Sequence, residues 1–416
     1  MRLLVPFYLS YAVLATALSP DVPEQAEPPA DTCPPKNITA LLTNAASHTT
    51  CPLPTGPSAS RKPGAPWTHT PLCSTTSGAQ TYCLFSSTPF GTNGLSLIAA
   101  PETASSLAPV LTQIHHSSLP SPSSARNLTL EPATAVRDFP GRGKGLVATR
   151  PIRGGETFLL DHASLVVGAG FFEDVGDAER AAMLGEAVDR LVEPAAVRGL
   201  DRAGGGGDVV GDVVRTNSFR SKLDVGNVFV LFPLISRVNH ACKPNAFIRH
   251  ASHGLIAGVA AFRDIMPGEE ITISYIPLQQ PTPSRQALLR KNWNFTCTCP
   301  LCTSPPSTLS ANDALRRKLQ GVEADAISAI RARDLPAAMD NLRVLEAGFV
   351  AEGLWPLLQD IYQVLATVCW AMGKREDAVG YLQRKLDMRD GYGRLEVGDR
   401  GLELGEEIGR LERPGR

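Results

Sequence analysis

The sequence predicts an α+β protein: a β-rich domain, interrupted by a helical insertion, followed by an all-helical region. Three observations carry this. Short apolar runs punctuated by glycines lie at 145–148, 157–160 and 164–167 and resume at 227–234, 254–262 and 270–275, the pattern of short strands and tight turns. Between the two groups, Ala178, Ala181, Ala182, Leu184, Val188, Leu191 and Val192 recur at helical spacing, and a glycine-rich loop follows at 203–207. After Pro306, apolar stripes at 315–333, 335–351, 354–372 and 375–388 predict four amphipathic helices, with Gly373 as a cap between the last two.

At 416 residues the chain has room for two or three structural units. A net charge of -1 and hydrophobic and aromatic fractions of 43% and 6% are ordinary for a globular protein and give no reason to expect direct binding to nucleic acid. Charge is unevenly spread, because residues 1–130 hold only five Lys/Arg and five Asp/Glu. The first 19 residues carry one Arg, an apolar stretch from Leu3 to Leu14, and small residues at Ala15 and Ala17, the pattern of a secretory signal peptide. That stretch is short for a permanent anchor, and no later segment reaches about 18 uninterrupted apolar residues, so no stable membrane span is expected. Residues 20–132 are rich in Pro, Ser, Thr and Ala, carry sequons at Asn37 and Asn127, and hold Cys33, Cys51, Cys73 and Cys83, which can pair in three ways. The composition fits a disulfide-linked extracellular segment and equally a poorly ordered leader with reduced cysteines. The expected organisation is then 1–19, signal-peptide-like; 20–132, cysteine-containing; 133–277, the β-rich domain with its insertion at 171–215; 278–305, a cysteine segment; and 306–416, helical.

Four segments carry chemistry. In GRGKGLVATRPIRGGE (141–156), three glycines surround Arg142 and Lys144 ahead of a strand, so that backbone can approach a ligand closely. In RVNHACKPNAF (237–247), Asn239, His240 and Asn245 crowd around Cys242 and must be satisfied by hydrogen bonds or by a ligand. GEEITISYIP (268–277) places Tyr275 at a strand end. FTCTCPLC (295–302) sets Cys297, Cys299 and Cys302 as C-x-C-x-x-C, a spacing that suits a soft metal ion. A structural zinc takes four ligands, and Cys242 is the only other cysteine within the domain.

These four segments, in this order, resemble the SET-domain family, with its G-x-G turn, N-H-x-C-x-P-N segment, G-E-E-I/L-x-x-x-Y segment and post-SET C-x-C-x-x-C. The resemblance is strong over 139–302. The helical region behind it, the phrase LFPLISRVNHACKPN and the R-Q-x-L-L-x-x-x-W-x-F run resemble SMYD-type members, and WAMGKREDAVGYLQRKL is similar to one tetratricopeptide unit. The resemblance implies a pseudoknotted SET fold with a post-SET zinc segment and a TPR-like α-helical C-terminal domain. It implies an S-adenosylmethionine-dependent lysine methyltransferase acting on a protein substrate, with the helical domain offering a surface to another protein. By position, Lys144, Gly145 and Leu146 would meet S-adenosylmethionine through their backbone. Asn239 and His240 would bind its amino-acid end and adenine edge, Phe295 would cover the adenine, and Tyr275 would be the catalytic tyrosine, also touching the cofactor. Cys242, Cys297, Cys299 and Cys302 would share a structural zinc. Three departures accompany this. Ala241 stands where the family usually has Ser, Ser274 where many members have Asp, and no cysteine between Cys83 and Cys242 is present to build the finger that interrupts SMYD enzymes. The competing expectation is an inactive SET scaffold that binds partners, including one in the secretory pathway. A leader-like N-terminus and an N-F-T sequon at Asn294 favour secretory entry, whereas cofactor use and thiolate zinc favour the cytoplasm or nucleus.

Overall fold

The computed structural model describes residues 66–75, 80–116, 132–204, 208–223, 226–251 and 254–391. The signal-peptide-like segment, Cys33, Cys51 and the sequons at Asn37 and Asn127 lie outside the described residues.

Folded structure starts well ahead of the expected boundary at Ala133. Two apolar runs, β2 (Cys83–Ser87) and β3 (Leu95–Ala99), form an antiparallel hairpin in which every side chain is buried. The turn between them contains Gly91 and Gly94 at φ of 58° and 75°, a region that glycine enters without strain. On the outer side, the two-residue β1 (Leu72–Cys73) pairs with β2, and Cys73 is disulfide-bonded to Cys83 directly across the ladder. This selects one pairing for two of the four N-terminal cysteines. Helix α1 (Pro101–His116) leaves the far end of β3.

The hairpin is not a separate unit. β3 runs parallel to β7 (Leu165–Gly168), with Ser96 opposite Leu165, and β7 is antiparallel to β9 (Gly226–Leu231), which pairs with β8 (Phe219–Leu223). The result is one six-stranded sheet in the order β1-β2-β3-β7-β9-β8. A strand buried on both faces reads as a continuous apolar run, and such runs are masked when a region is judged by its mean composition.

The insertion is helical: α2 (Phe171–Asp174), α3 (Asp177–Asp189), α4 (Pro194–Arg198) and α5 (Val209–Asn217). Its apolar stripe, including Leu184, Val188, Val197 and Val213, buries against Leu84, Ile98 and Val167 of the large sheet. Two smaller sheets complete the domain. In one, β4 (Thr134–Phe139) and β5 (Gly143–Ala148) turn about Gly141, and β5 pairs with β13 (Glu270–Ile273), which runs parallel to the short β10 (Asn239–His240). In the other, β12 (Ile256–Ala261) lies between β11 (Ala246–His250) and β6 (Thr157–His162).

Helix α6 (Thr282–Trp293) leads into the cysteine segment, and four long helices follow: α7 (Pro306–Arg331), α8 (Leu335–Glu352), α9 (Trp355–Ala371) and α10 (Arg375–Gly391). Asp334 caps α8 by accepting from the Ala337 amide at 3.1 Å, and Gly353 ends it at a φ of 68°. Leu319, Leu342, Leu345, Phe349, Leu358, Ile361 and Leu365 share one core. Among the described residues, no helix is long and apolar enough to cross a membrane.

Candidate active site

The site forms where β10 and β13 lie side by side. Parallel pairing sets Asn239 opposite Thr272 and His240 opposite Ile273. The Asn245 carboxamide ties these segments together, accepting from the Thr272 amide at 2.8 Å and donating to the Glu270 carbonyl at 2.8 Å. The chain then delivers Tyr275, whose amide donates to His240 Nδ1 at 3.0 Å. That bond leaves Nε2 to face the Cys242 thiol at 3.3 Å. The Tyr275 hydroxyl donates to the Val238 carbonyl at 2.7 Å. The phenol packs between the His240 and Trp293 rings, each 5.3 Å away, and Phe295 lies 6.3 Å from the His240 ring on the other side.

Asn239 is oriented by a carboxylate. Its Nδ2 donates to Glu270 Oε1 at 3.0 Å, and Glu270 Oε2 is held by Arg142 at 2.8 Å. A carboxylate only accepts, so the amide must present its NH2 to Glu270 and its Oδ1 away from it. Among the described residues, Oδ1 takes no hydrogen bond and stands open to a ligand cation. A Cβ on Gly145 would meet Asn239 Nδ2 at 2.5 Å and the Phe139 ring at 2.7 Å, so any side chain here would displace both. Beside it, the exposed Lys144 donates its amide to Asp201 Oδ2 at 2.9 Å, while Leu146 points into the core opposite Ile271. The structure therefore gathers Gly145, Asn239, His240, Tyr275 and Phe295 into one locality, with Lys144 at its rim and Leu146 beneath it.

The four cysteines converge. The sulfurs of Cys242, Cys297, Cys299 and Cys302 all lie within 4.8 Å of one another, with Cys242 Sγ 3.9 Å from Cys297 Sγ and 3.5 Å from Cys302 Sγ. Tetrahedral zinc with Zn–S bonds near 2.3 Å places its sulfurs about 3.8 Å apart, so this set fits that ion. Hydrogen bonds from Cys242, Cys297 and Cys302 pull the Cys299 thiol well below its ordinary range, while Cys242, bonded to Cys297, Cys299 and Cys302, is pushed far above it. Four such groups cannot ionise together without a cation among them. The segment is held from behind by Gln286 on α6, which donates to the Cys297 carbonyl and accepts from its amide, both at 2.9 Å.

Several supporting residues carry no sequence signal of their own. Glu270 is visible only as part of G-E-E-I, Gln286 and Trp293 only as members of the R-Q-x-L-L-x-x-x-W-x-F run, and Asp201 lies outside every motif. Asp201 belongs to the insertion, whose neighbouring Ala203 accepts from Asn294 Nδ2 at 3.2 Å, while Thr216 accepts from the Trp293 indole at 3.1 Å. The third sequon residue, Asn294, thus has its side-chain nitrogen engaged and sits at a φ of 56° as the cap of α6.

Residues 143–276 of the chain match the family described as the SET domain. Parts of the chain are also similar to SMYD proteins. The chain is 42% identical over 74 residues to N-lysine methyltransferase SMYD2 of Homo sapiens, covering 18% of this chain and 17% of that protein. It is 37% identical over 102 residues to protein-lysine N-trimethyltransferase SMYD5 of Mus musculus, covering 23% and 24%. The matches thus span between about a sixth and a quarter of the length of these curated relatives.

Proposed function

We propose that the protein is an S-adenosylmethionine-dependent protein lysine N-methyltransferase. The observation that carries this reading is the parallel pairing of β10 with β13, which brings an open Asn239 Oδ1, His240 and the Tyr275 hydroxyl together beside a four-thiol cluster. S-adenosylmethionine, when bound, supplies an electrophilic methyl group. Asn239 Oδ1 accepts from its ammonium, the backbone at Lys144, Gly145 and Leu146 lines its amino-acid end, and Phe295 covers the adenine. Tyr275, with its proton committed to Val238, offers an oxygen to the incoming amine and holds its lone pair in line. The apolar walls around Tyr275 desolvate the substrate lysine, which favours the neutral, nucleophilic amine over a cation of ordinary pKa about 10.4. Cys242, Cys297, Cys299 and Cys302 hold a structural zinc that fastens the Phe295 segment over the pocket.

The inactive-scaffold reading is not favoured, because no element of this constellation is missing. The helical region, with helices packed against each other in sequence order, is read as TPR-like and as the surface for another protein. The four thiols favour a reducing compartment. The leader-like first residues and the Cys73–Cys83 pair point the other way, and mass spectrometry of the mature N-terminus separates the two.

The test is calorimetric titration of the full chain with S-adenosylmethionine, followed by transfer of labelled methyl to protein lysines. Binding that disappears in Asn239→Ala supports the proposal. A folded, zinc-loaded protein that binds no cofactor refutes it.

A further inference from the structure

We propose that Arg316, carried by α7 of the helical region, is the positioning residue and counter-charge of the thiolate metal site. The inference rests on the reading of the four cysteines as zinc ligands.

Two arginines are fully buried at the junction of the SET domain with the helical region, Arg285 on α6 and Arg316 on α7, both at 0% exposure. Their surroundings differ. Arg285 has a carboxylate of its own, Asp313 at 3.7 Å, and donates to the Gln280 carbonyl at 2.8 Å and to Thr282 Oγ1 at 2.6 Å. Arg316 donates only to carbonyl oxygens: through Nη2 to Cys242 at 3.1 Å, and through Nη1 to Leu278 and, at 3.4 Å, to Gln280. Among the described residues, no carboxylate lies within ion-pair reach of it. Asp313 serves Arg285, and the Glu352 carboxylate accepts from Asn312 at 2.7 Å.

A guanidinium cannot escape this burial by losing its proton within the working pH range. The Glu352 and Asp313 carboxylates act on Arg316 only from beyond ion-pair distance, and a buried cation without a contacting carboxylate is unfavourable. The missing negative charge is at hand: one zinc with four thiolates carries a net charge of −2, and Arg316 is bonded to the backbone of one of those ligands.

The placement also couples two regions. Cys242 is the one ligand supplied by the SET body, two residues after His240, while the other three come from the segment behind α6. Leu278, the second carbonyl held by Arg316, lies three residues after Tyr275. One side chain of the helical region therefore fixes the backbone at the end of both site-bearing strands.

The experiment compares the full-length parent with Arg316→Met, Arg316→Lys and Arg285→Met. It measures zinc content, the rate of zinc transfer to a chromophoric chelator, the thiolate-to-cobalt charge-transfer bands after metal substitution, and thermal unfolding. Arg316→Met should release zinc on the order of tenfold faster, with altered cobalt bands. Arg316→Lys, which keeps the charge but not the fork, should fall between Arg316→Met and the parent. Arg285→Met should release zinc within about twofold of the parent, although it loses a side chain equally buried. Parent-like release from Arg316→Met, a Lys variant no better than Met, or an Arg285→Met variant that releases as fast overturns the proposal. Where Arg316→Met does not fold, Arg316→Lys decides: release at the parent rate overturns it. A parent that holds no zinc defeats the underlying zinc reading, an outcome distinct from all of these.

Discussion

Replacing Gly145 by alanine tests the geometry of the cofactor turn with the smallest possible perturbation. The new Cβ would lie 2.5 Å from Asn239 Nδ2 and 2.7 Å from Phe139 Cε2, against ordinary contacts of 3.4–4 Å, so the carboxamide and the ring must each retreat by nearly an ångström. The strand itself has little freedom to yield, because β5 is hydrogen-bonded to β4 on one side and β13 on the other. Forced overpacking of this kind costs about 1–3 kcal/mol of stability. The larger consequence is for binding. Asn239 leaves the 3.0 Å bond that orients it on Glu270, and its Oδ1 no longer meets a ligand ammonium, a charge-assisted bond worth roughly 1.5–3 kcal/mol. Cofactor affinity should fall by about 10- to 150-fold in calorimetric titration. Gly185, on α3 with open space around its Cβ position, is the control: alanine there should leave binding unchanged and raise stability by up to about 1 kcal/mol in urea unfolding. Cofactor binding by Gly145→Ala within about twofold of the parent would refute the proposed approach of the ligand to this turn.

Tyr275→Phe should bind cofactor within a few-fold of the parent but transfer methyl on the order of a hundredfold more slowly in a radiolabel assay, since only the hydroxyl is lost; equal rates would remove Tyr275 from the mechanism. His250, whose ring nitrogens are buried without a partner among the described residues, has its pKa pushed down to about 4 by that burial. The folded state therefore favours the neutral ring: the stability this contributes is present above an unfolded value near 6.5 and is lost as pH falls toward 4. Urea titrations at pH 7.5 and 5 should show a smaller acid loss in His250→Phe than in the parent, and an equal loss would refute the assignment. Removing the Cys73–Cys83 link by a double serine substitution opens a short loop and should cost about 2–3 kcal/mol, read from thermal unfolding without reductant.

The motifs and periodic elements were legible because each is local. Three of the four C-terminal helices, α7, α8 and α9, carry a 3.6-residue stripe, and the insertion does so over 177–189, so their faces follow from the residues themselves, whereas α10 carries almost none. The cysteine cluster was legible from spacing and from the scarcity of other thiols. What escaped depends on partners distant in sequence. The paired strands Cys83–Ser87 and Leu95–Ala99 lie within a region whose mean composition reads as a leader, and their partner strand begins at Leu165. Asp161 is a further instance. It is buried in β6 and accepts from the Leu234 and Ile235 amides, 73 and 74 residues away in sequence, at 2.6 and 3.0 Å, on the approach to Asn239. Arg316 carries no motif, and only tertiary packing shows it turned inward onto the Cys242 carbonyl.

The parallel bond between β3 and β7 has a practical consequence for anyone who would trim this protein to its motif-bearing part. A fragment beginning at Ala133 keeps all four motifs, yet it strips β7 of its neighbour along Leu165, Val166 and Val167 and leaves a row of unanswered amides and carbonyls on a flat apolar strand. It also uncovers the face of the insertion that rests on Leu84 and Ile98. Such an open margin invites pairing with a second chain, so the fragment should aggregate even with all four motifs intact.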